Sequence, residues 1–492
     1  MNALLIYPHF PDTFWGFKHS LKVIRKKASS PPLGLLTVAG MLPDDWKLLL
    51  VDLNVSELDD SDLEWAQVAL VSAMVLQRDS ARETIARCKE KGVTVIAGGP
   101  LFSSEHDDFD DVDHFVLGEA ETTLPGFLDD FARGKAKRVY ESSDWSDLSE
   151  TPVPRWDLVR PRHYSSRNIQ YSRGCPHDCD FCSVTQLFGN RPRTKSAEQV
   201  LAELDSLYEL DWRGTVGFVD DNLMGNRKRL VEDLLPALVT WREDKWGVTF
   251  STQITMKLAD DPELMDLMVR AGFDTVFIGI ESIDEGSLIE CNKRQNENRD
   301  MLEDIRRIQH AGMQVQGGFI VGFDHDTPTV FERMTAFIQK SGIATAMVGT
   351  LQAPAGTRLF ERLRNEGRIR KSMTGDNTNG TTNIVPAMGV EPLERGYRDM
   401  MAKLYEPRNY YARLRTFLRE YRPRQKRSRL RGWHILAFLR SLYYLGIVGK
   451  ERFRYQGLLL WTLFRNPRAF PTAIVLAISG YHLRLYMGAP VA

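Results

Sequence analysis

The chain has 492 residues, 43% hydrophobic, 26% charged and 10% aromatic, with 64 Lys and Arg against 65 Asp and Glu for a formal net charge of -1. That globular composition excludes collagenous, disordered and supercharged chains, and at roughly 100 to 200 residues per domain it predicts two to four domains. Near-neutral charge predicts no global attraction to nucleic acid, and nucleic acid is not expected as a partner.

The N-terminus, MNALLIYPHF, has no basic stretch and too short an apolar run for a secretory signal, so export is not expected. From Ala3 to about Phe131 short apolar runs (ALLIYP, WKLLLVDLN, VALVSAM, TVIAGGP, HFVLGEA) alternate with helical ones such as LGLLTVAGML and RDSARETIARCKEKG. Strands alternating with helices predict βαβ units in a parallel, doubly wound, Rossmann-like sheet over residues 1–135. Ligands of such sheets sit beyond the carboxyl ends of the strands. Those ends carry Ser72 and Ala73, then Gly98, Gly99, Pro100, Ser103 and Ser104, then Gly118 and Glu119. Glycine there either admits a ligand to the backbone or merely serves a turn. Residues 136–167, with Pro152 and Pro154, read as an extended polar linker.

A second βα series begins at Asn168. Its strands read NIQYSRG, TVGFVDDN, VTFSTQI, TVFIGIES, MQVQGGFIVGF and TAMVGTLQAP, and amphipathic stretches such as SAEQVLAELDSLYEL separate them. Six units over 168–385 predict a partial (β/α)6 TIM-type barrel with chemistry at the carboxyl ends of its strands. After the first of these strands comes RGCPHDCDFC, placing Cys175, Cys179 and Cys182 in a C-x3-C-x2-C pattern on one tight loop. Three thiolates leave one iron of a [4Fe-4S] cluster open to a further ligand. The other readings are a zinc knuckle completed by His177 and fortuitous cysteines; a βα-loop position without a second Cys/His pair counts against both. Cys88 and Cys291 read as ordinary buried cysteines, too few for a second three-cysteine cluster.

With these cysteines, Phe181 before the third of them, and the barrel pattern, the chain resembles the radical S-adenosylmethionine (SAM) superfamily. The resemblance implies that Cys175, Cys179 and Cys182 hold the cluster and that SAM chelates its fourth iron. Cleavage of SAM then yields methionine and a 5′-deoxyadenosyl radical that abstracts hydrogen from a C–H bond. It further implies SAM contacts from Asp220, Asp221 and Asn222, from Ser251 and Gln253, from Glu281, from Arg294 in CNKRQ, and from Gly318 and Gly322 in the adenine-supporting GGFIVGF segment. The bland alternative for each polar residue is a helix cap or a solvated turn.

With a parallel-sheet domain in front, the chain is similar to the cobalamin-binding class of that superfamily and to its hopanoid-type methylases. GGPLFSS and VLGEAE then imply cobalamin contacts from Ser72, Gly98, Gly99, Ser103, Gly118 and Glu119. The D-x-H-x-x-G loop of many cobalamin proteins is absent: Tyr7 and Asp12 stand at its Asp and Gly positions, and His9 reads as a loop residue rather than a cobalt ligand. The class implies methylation of an unactivated carbon using methylcobalamin, with an external electron donor such as flavodoxin or ferredoxin. Related enzymes instead cyclise, oxidise or couple carbons without methyl transfer. A non-catalytic protein that keeps the cluster as a structural or sensing element is the remaining alternative.

Residues 386–492 read as helices. Between Arg413 and Arg454 stand thirteen basic residues, Lys426, Arg427 and Arg429 among them, against Glu420 and Glu451. With Trp433, Phe438, Tyr443, Tyr444, Trp461 and Phe464 interleaved, this is either an interfacial surface for anionic lipid or a helical cap packed on the barrel. FPTAIVLAISGYHLRLYM from Phe470 is broken by His482 and Arg484, so no span is expected. The reading is a cytoplasmic enzyme, peripheral on the inner membrane face through this region, acting on a lipidic or other small-molecule substrate.

Overall fold

A computed structural model describes residues 1–371, 373–424 and 431–487. The first apolar runs form strands β1 (Asn2–Tyr7), β2 (Lys47–Asp52), β3 (Val68–Ser72), β4 (Thr94–Gly98) and β5 (His114–Val116), all parallel. Along β1, Leu4 and Ile6 enter one apolar core while Ala3 and Leu5 enter another. A strand buried on both faces in this way belongs to a sheet covered by helices on both sides. The strand order β2-β1-β3-β4-β5 reverses direction beside β1, which opens a crevice at the carboxyl edge.

The segment expected to be an extended linker is largely built into the fold. It supplies the sixth strand, β6 (Val139–Tyr140), beside β5, and it buries Trp156 and Tyr164, whose hydroxyl donates to Asp52 Oδ2 at 2.9 Å. Pro152 and Pro154 prevent regular structure there, but they do not prevent the aromatic side chains from reaching the core.

The second sheet has the order β14-β13-β12-β11-β10-β7, again all parallel. It comprises β7 (Arg167–Ile169), then, after a short antiparallel pair β8 (Ser172–Arg173) and β9 (Arg193–Thr194), β10 (Thr215–Phe218), β11 (Thr249–Ile254), β12 (Phe273–Glu281), β13 (Gln314–Val321) and β14 (Ala346–Thr350). Six parallel strands in chain order form the partial barrel. Small and polar residues face its interior: a Cβ on Gly217 would meet Asn168 Oδ1 and Ser251 Oγ.

The C-terminal helices cap this barrel. Val390–Tyr405 and Pro407–Glu420 lay Tyr397, Met400, Tyr405, Tyr410 and Phe417 against it. Several of the basic residues read as one surface are structural. Arg413 is fully buried and donates to Gln339 Oε1 and to the Leu404 and Ala344 carbonyls; Arg431 pairs with Asp211; Arg440 donates to the Val23 and Lys22 carbonyls. Lys426, Arg427 and Arg429 lie outside the described residues.

Among the described residues no helix is long and apolar enough to cross a membrane. The apolar stretch from Phe470 becomes the helix Phe470–Tyr486, which returns to the N-terminal helix Lys18–Ile24. Arg484 pairs with Glu451 at 2.5 Å, and His482 Nε2 meets the Phe14 carbonyl at 3.1 Å while its Nδ1 accepts from the His19 amide at 3.5 Å. Only a neutral imidazole satisfies both contacts, and burial holds His482 down to about 4, below its ordinary 6.5. Between those values the unfolded chain binds the proton and the folded one does not, so stability falls as pH drops through that window. By pH 4 the loss from this site should reach about 3 kcal/mol. Urea unfolding midpoints across pH 7 to 4 check this; His482→Gln should flatten the slope.

Candidate active site

The carboxyl edges of the two sheets face each other across a cavity of about 350 Å3. From the first sheet it is walled by Ser72, Ala73, Gly98, Gly99, Gly118 and Glu119. Tyr7 and Gly34 contribute from the first βα unit, and Gln170, Arg173, Phe188 and Val219 close it from the barrel side. Ser103 stands behind this wall, its Oγ accepting from the Gly118 amide at 3.1 Å. Gly98 and Gly99 are required by packing, since a Cβ on the first would meet the Val116 carbonyl at 2.8 Å and on the second Ser72 Oγ at 2.7 Å. Gly118, at φ +75°, has nothing within 4 Å of its Cβ position. Backbone and small side chains thus present a surface against which a flat macrocycle could lie.

A buried four-residue ion network pins the two domains together at this cavity. Arg173 donates to both oxygens of Glu121, at 2.7 and 2.9 Å, and lies 3.3 Å from Glu119. Arg193 makes the equivalent fork on Glu119, at 2.7 and 2.9 Å. The Ser146 amide and hydroxyl complete Glu119, and Thr151 completes Glu121. Burial opposes ionisation of Glu121, yet the Arg173 fork outweighs it and holds the carboxyl down to about 2. Glu119, expected from sequence as a cofactor contact, therefore has both oxygens engaged by protein.

Two residues after Arg173 the cysteine loop begins. Gly174, at φ +90°, turns the chain where a Cβ would strike the carbonyls of Phe188, Gly189 and Arg191. The far side of the loop is tied down by Asp180 N to the Cys291 carbonyl at 3.1 Å, and by Arg358 to Asp178 and Asp180 at 2.8 and 2.9 Å. Cys175, Cys179 and Cys182 are partly exposed on its inner side. Each receives a donor: the His177 amide to Cys175, the Val184 amide to Cys182, and Gln295 Nε2 to Cys179 at 3.8 Å. Burial pushes all three thiols up, Cys182 to about 12, so iron must supply what turns them into thiolates. Three soft donors with N–H groups aimed at their sulfurs and a buried ammonium beside them fit an anionic iron–sulfur cluster. Cys88 is buried in the core of the first domain, whereas Cys291 is buried in an apolar cluster beside the loop, within electrostatic reach of Cys179 and Lys293.

That ammonium is Lys293, the residue sequence reasoning missed. It faces the cysteine thiols and pairs with Glu281 at 2.7 Å; burial alone would lower its pKa, but the Glu281 carboxylate carries it upward. Glu281 sits at φ +63° on a bulge of β12, and a Cβ on Gly279 would collide with both members of the pair. Such strain at a strand end marks a functional position. Arg294, the cation chosen from sequence, is instead exposed, with its Nε on Asn292 Oδ1 at 2.9 Å. The two cations are adjacent in CNKRQ, and only the fold of the segment decides which is internal.

The other strand ends converge on the same side. Asp220 is fully buried and accepts from the Tyr171 amide and from the Ser172 amide and hydroxyl, which ties the segment after β10 to β8 and turns both carboxylate oxygens to protein donors. Burial pushes its carboxyl up to about 7, and that of Asp221 to about 6 against the Gly174 amide. Asn222 keeps a buried Oδ1 with no hydrogen-bond partner, a vacancy for a donor such as an ammonium. Ser251 and Gln253 lie on β11, the latter exposed in the barrel mouth; Gly318 on β13 packs against Phe277 and Met347, and Gly322 donates to Asp326 at 2.8 Å.

Across the barrel mouth lies Trp15, brought there by the loop after β1 that replaces the D-x-H-x-x-G pattern. Its indole meets Phe277 edge-on at 5.8 Å and donates to Met347 Sδ at 3.1 Å. His9 is exposed in the same loop, its amide on Ser80 Oγ.

The chain is 39% identical, over 99% of its length and 92% of the relative's, to an uncharacterized methyltransferase of Synechocystis sp.. It is 31% identical, over 99% of its length and 93% of the relative's, to the hopanoid C-2 methylase of Rhodopseudomonas palustris. The B12 binding domain family matches residues 23–128, the Radical SAM superfamily residues 169–338, and a domain of unknown function (DUF4070) residues 357–489. The protein belongs to the cobalamin-dependent radical SAM methyltransferases. Among solved structures, the cobalamin-dependent S-adenosylmethionine radical enzyme OxsB matches with a TM-score of 0.63 at 15% identity, covering 99% of this chain and 79% of that one, which is a likeness of fold. The cofactors of the methyltransferase are accordingly a [4Fe-4S] cluster, SAM and cobalamin.

The two halves of the site should be separable. Gly34, helical and with nothing within 4 Å of its Cβ position, lines the cavity, so Gly34→Trp fills it without backbone strain. That variant should retain iron yet bind cobalamin at least about tenfold more weakly, about 1.4 kcal/mol, within the cost of ordinary overpacking. Cys182→Ala should do the reverse. Iron, sulfide and cobalamin analysis of anaerobically reconstituted protein reads both.

Proposed function

We propose that the methyltransferase methylates an unactivated carbon of an apolar, hopanoid-like lipid. The observation that carries this reading is the apolar cluster that Trp15, from the first domain, makes with Phe277 and Met347 on barrel strands β12 and β14. The likeness to a hopanoid C-2 methylase supports it.

In this reading residues 1–135 bind cobalamin, 136–167 join the domains, 168–385 form the radical SAM core, and 386–492 cover it. Cys175, Cys179 and Cys182 hold the cluster. Asn222 Oδ1 accepts from the SAM ammonium, Lys293 offers its charge to the SAM carboxylate, and Ser251, Gln253 and Gly318 flank the nucleoside. Ser72, Gly98, Gly99 and Gly118 floor the cobalamin cavity. When bound, the cluster and SAM supply the radical and cobalamin the methyl group. The protein's own part is to hold the two facing each other, and the Glu119–Arg193 and Glu121–Arg173 forks fix that spacing. Trp15 excludes water from the barrel, which protects a reactive carbon from side reactions.

An external flavodoxin or ferredoxin supplies the electron. On the outer side of the C-terminal helices Trp433, Ile435, Leu439, Ile447, Phe453 and Phe464 are exposed, which supports peripheral contact with the inner membrane face.

The test is an anaerobic assay with SAM, reductant, cobalamin and a detergent-dispersed lipid extract. One 5′-deoxyadenosine and one S-adenosylhomocysteine should form per lipid methylated. Trp15→Ala, which removes the indole but no cluster ligand, should lower turnover about 10- to 100-fold and raise uncoupled 5′-deoxyadenosine release. Coupled methylation of polar substrates only, with lipids untouched, would overturn the lipid reading.

A further inference from the structure

Among the basic residues of the C-terminal region one group stands apart. Arg419 and Arg422 to Arg424 at the end of helix Pro407–Glu420 face Arg465 and Arg468 at the turn between helices Arg452–Arg465 and Phe470–Tyr486. Together they line a cleft of about 700 Å3 with no acidic residue in its described wall. The cleft is built rather than incidental. Asn466 Nδ2 at its base donates to the carbonyls of Leu418 and Tyr421, at 3.0 and 2.9 Å, and Tyr421 stacks on Phe417 at 4.8 Å. Arg424 shares its charge with Asp266 at 3.1 Å, and Arg419 lies over Trp461. Arg422, Arg465 and Arg468 are exposed and carry no ion pair among the described residues. Elsewhere in these helices Arg413 and Arg440 are held by an amide and backbone carbonyls, and Arg431 and Arg484 by carboxylates, so none of these four is free to take an anion.

Several guanidiniums around one hollow are the arrangement that recognises a phosphate, through forked, charge-assisted hydrogen bonds. The helix that delivers Arg465 carries exposed apolar side chains: Phe464, 83% exposed, precedes Arg465, and Leu460 and Leu463 are exposed on the same helix. A phosphate bound there would have its substituents beside apolar side chains. We propose that the cleft binds the phosphate headgroup of an anionic phospholipid and so orients the protein on the bilayer. This rests on the membrane contact read above and names the lipid group it uses.

The experiment is flotation of the full-length holoenzyme with vesicles of phosphatidylcholine, with and without phosphatidylglycerol, comparing wild type with Arg465→Gln/Arg468→Gln. Both substitutions are on exposed side chains outside the cofactor sites, and cobalamin and iron content should be unchanged. The wild type should bind phosphatidylglycerol vesicles at least about tenfold better than phosphatidylcholine alone, at about 1 kcal/mol per basic residue near the surface, and the increment should shrink with salt. The double variant should lose that increment and keep its phosphatidylcholine binding. Equal binding of wild type and variant to phosphatidylglycerol overturns the cleft but leaves the membrane reading standing. Binding of neither vesicle by the wild type overturns both. Saturable binding of inorganic phosphate, or of duplex RNA, that the variant loses while vesicle binding is indifferent to phosphatidylglycerol assigns the cleft to another ligand and overturns the lipid.

Discussion

Everything in the site depends on the forked ion pairs between Glu119 and Arg193 and between Glu121 and Arg173. The glutamates follow Gly118 at the carboxyl edge of one sheet; Arg173 stands two residues before the first cysteine at the edge of the other. Both glutamates are buried and the arginines largely so, and in such surroundings a complete pair contributes little net stability but a broken one is costly, up to about 3–5 kcal/mol. The network therefore acts as a register mark. It fixes one docking of the domains, in which Arg173 on the cavity wall stands two residues before the cysteine loop.

Charge is matched on a second scale around the cysteines. Their thiols are raised by burial, and the ammonium of Lys293 is the internal cation that faces them. Glu281 holds Lys293 in place from a strained bulge that Gly279 makes room for. The buried Lys293–Glu281 pair beside the cysteines and the unpartnered Asn222 Oδ1 are what the proposed cluster and its ligand would use.

Much of this was legible in the residues themselves. Periodicity marks both sheets, the first because strands buried on two faces read as continuous apolar runs and the second because its strands alternate core-facing apolar residues with small or polar ones. Cysteine spacing marks the loop because three thiolates on one turn have few other uses. What could not be read was decided by tertiary packing. Lys293 and Arg294 are equivalent in sequence and opposite in space. Glu119 and Asp220 look like ligands by position, but each is claimed by protein donors from a distant segment. The proline-containing linker hides a strand and two core aromatics. Thirteen basic residues look like one surface until Arg413 proves to be core. Trp15 had no signal beyond being an aromatic in an irregular loop; its role comes from the docking that brings that loop to the barrel mouth.

The proposal that cobalamin in the cavity and the cluster on the adjoining cysteine loop are neighbours is tested most directly by electron paramagnetic resonance of the holoenzyme with the cluster reduced and the cobalamin in its cob(II) state. Two unpaired electrons, one in this cavity and one on the cysteine loop that begins two residues beyond its Arg173 wall, should show mutual broadening or splitting, absent when either cofactor is removed. Spectra that superimpose on the sum of the singly loaded forms would place the cofactors apart and contradict the account.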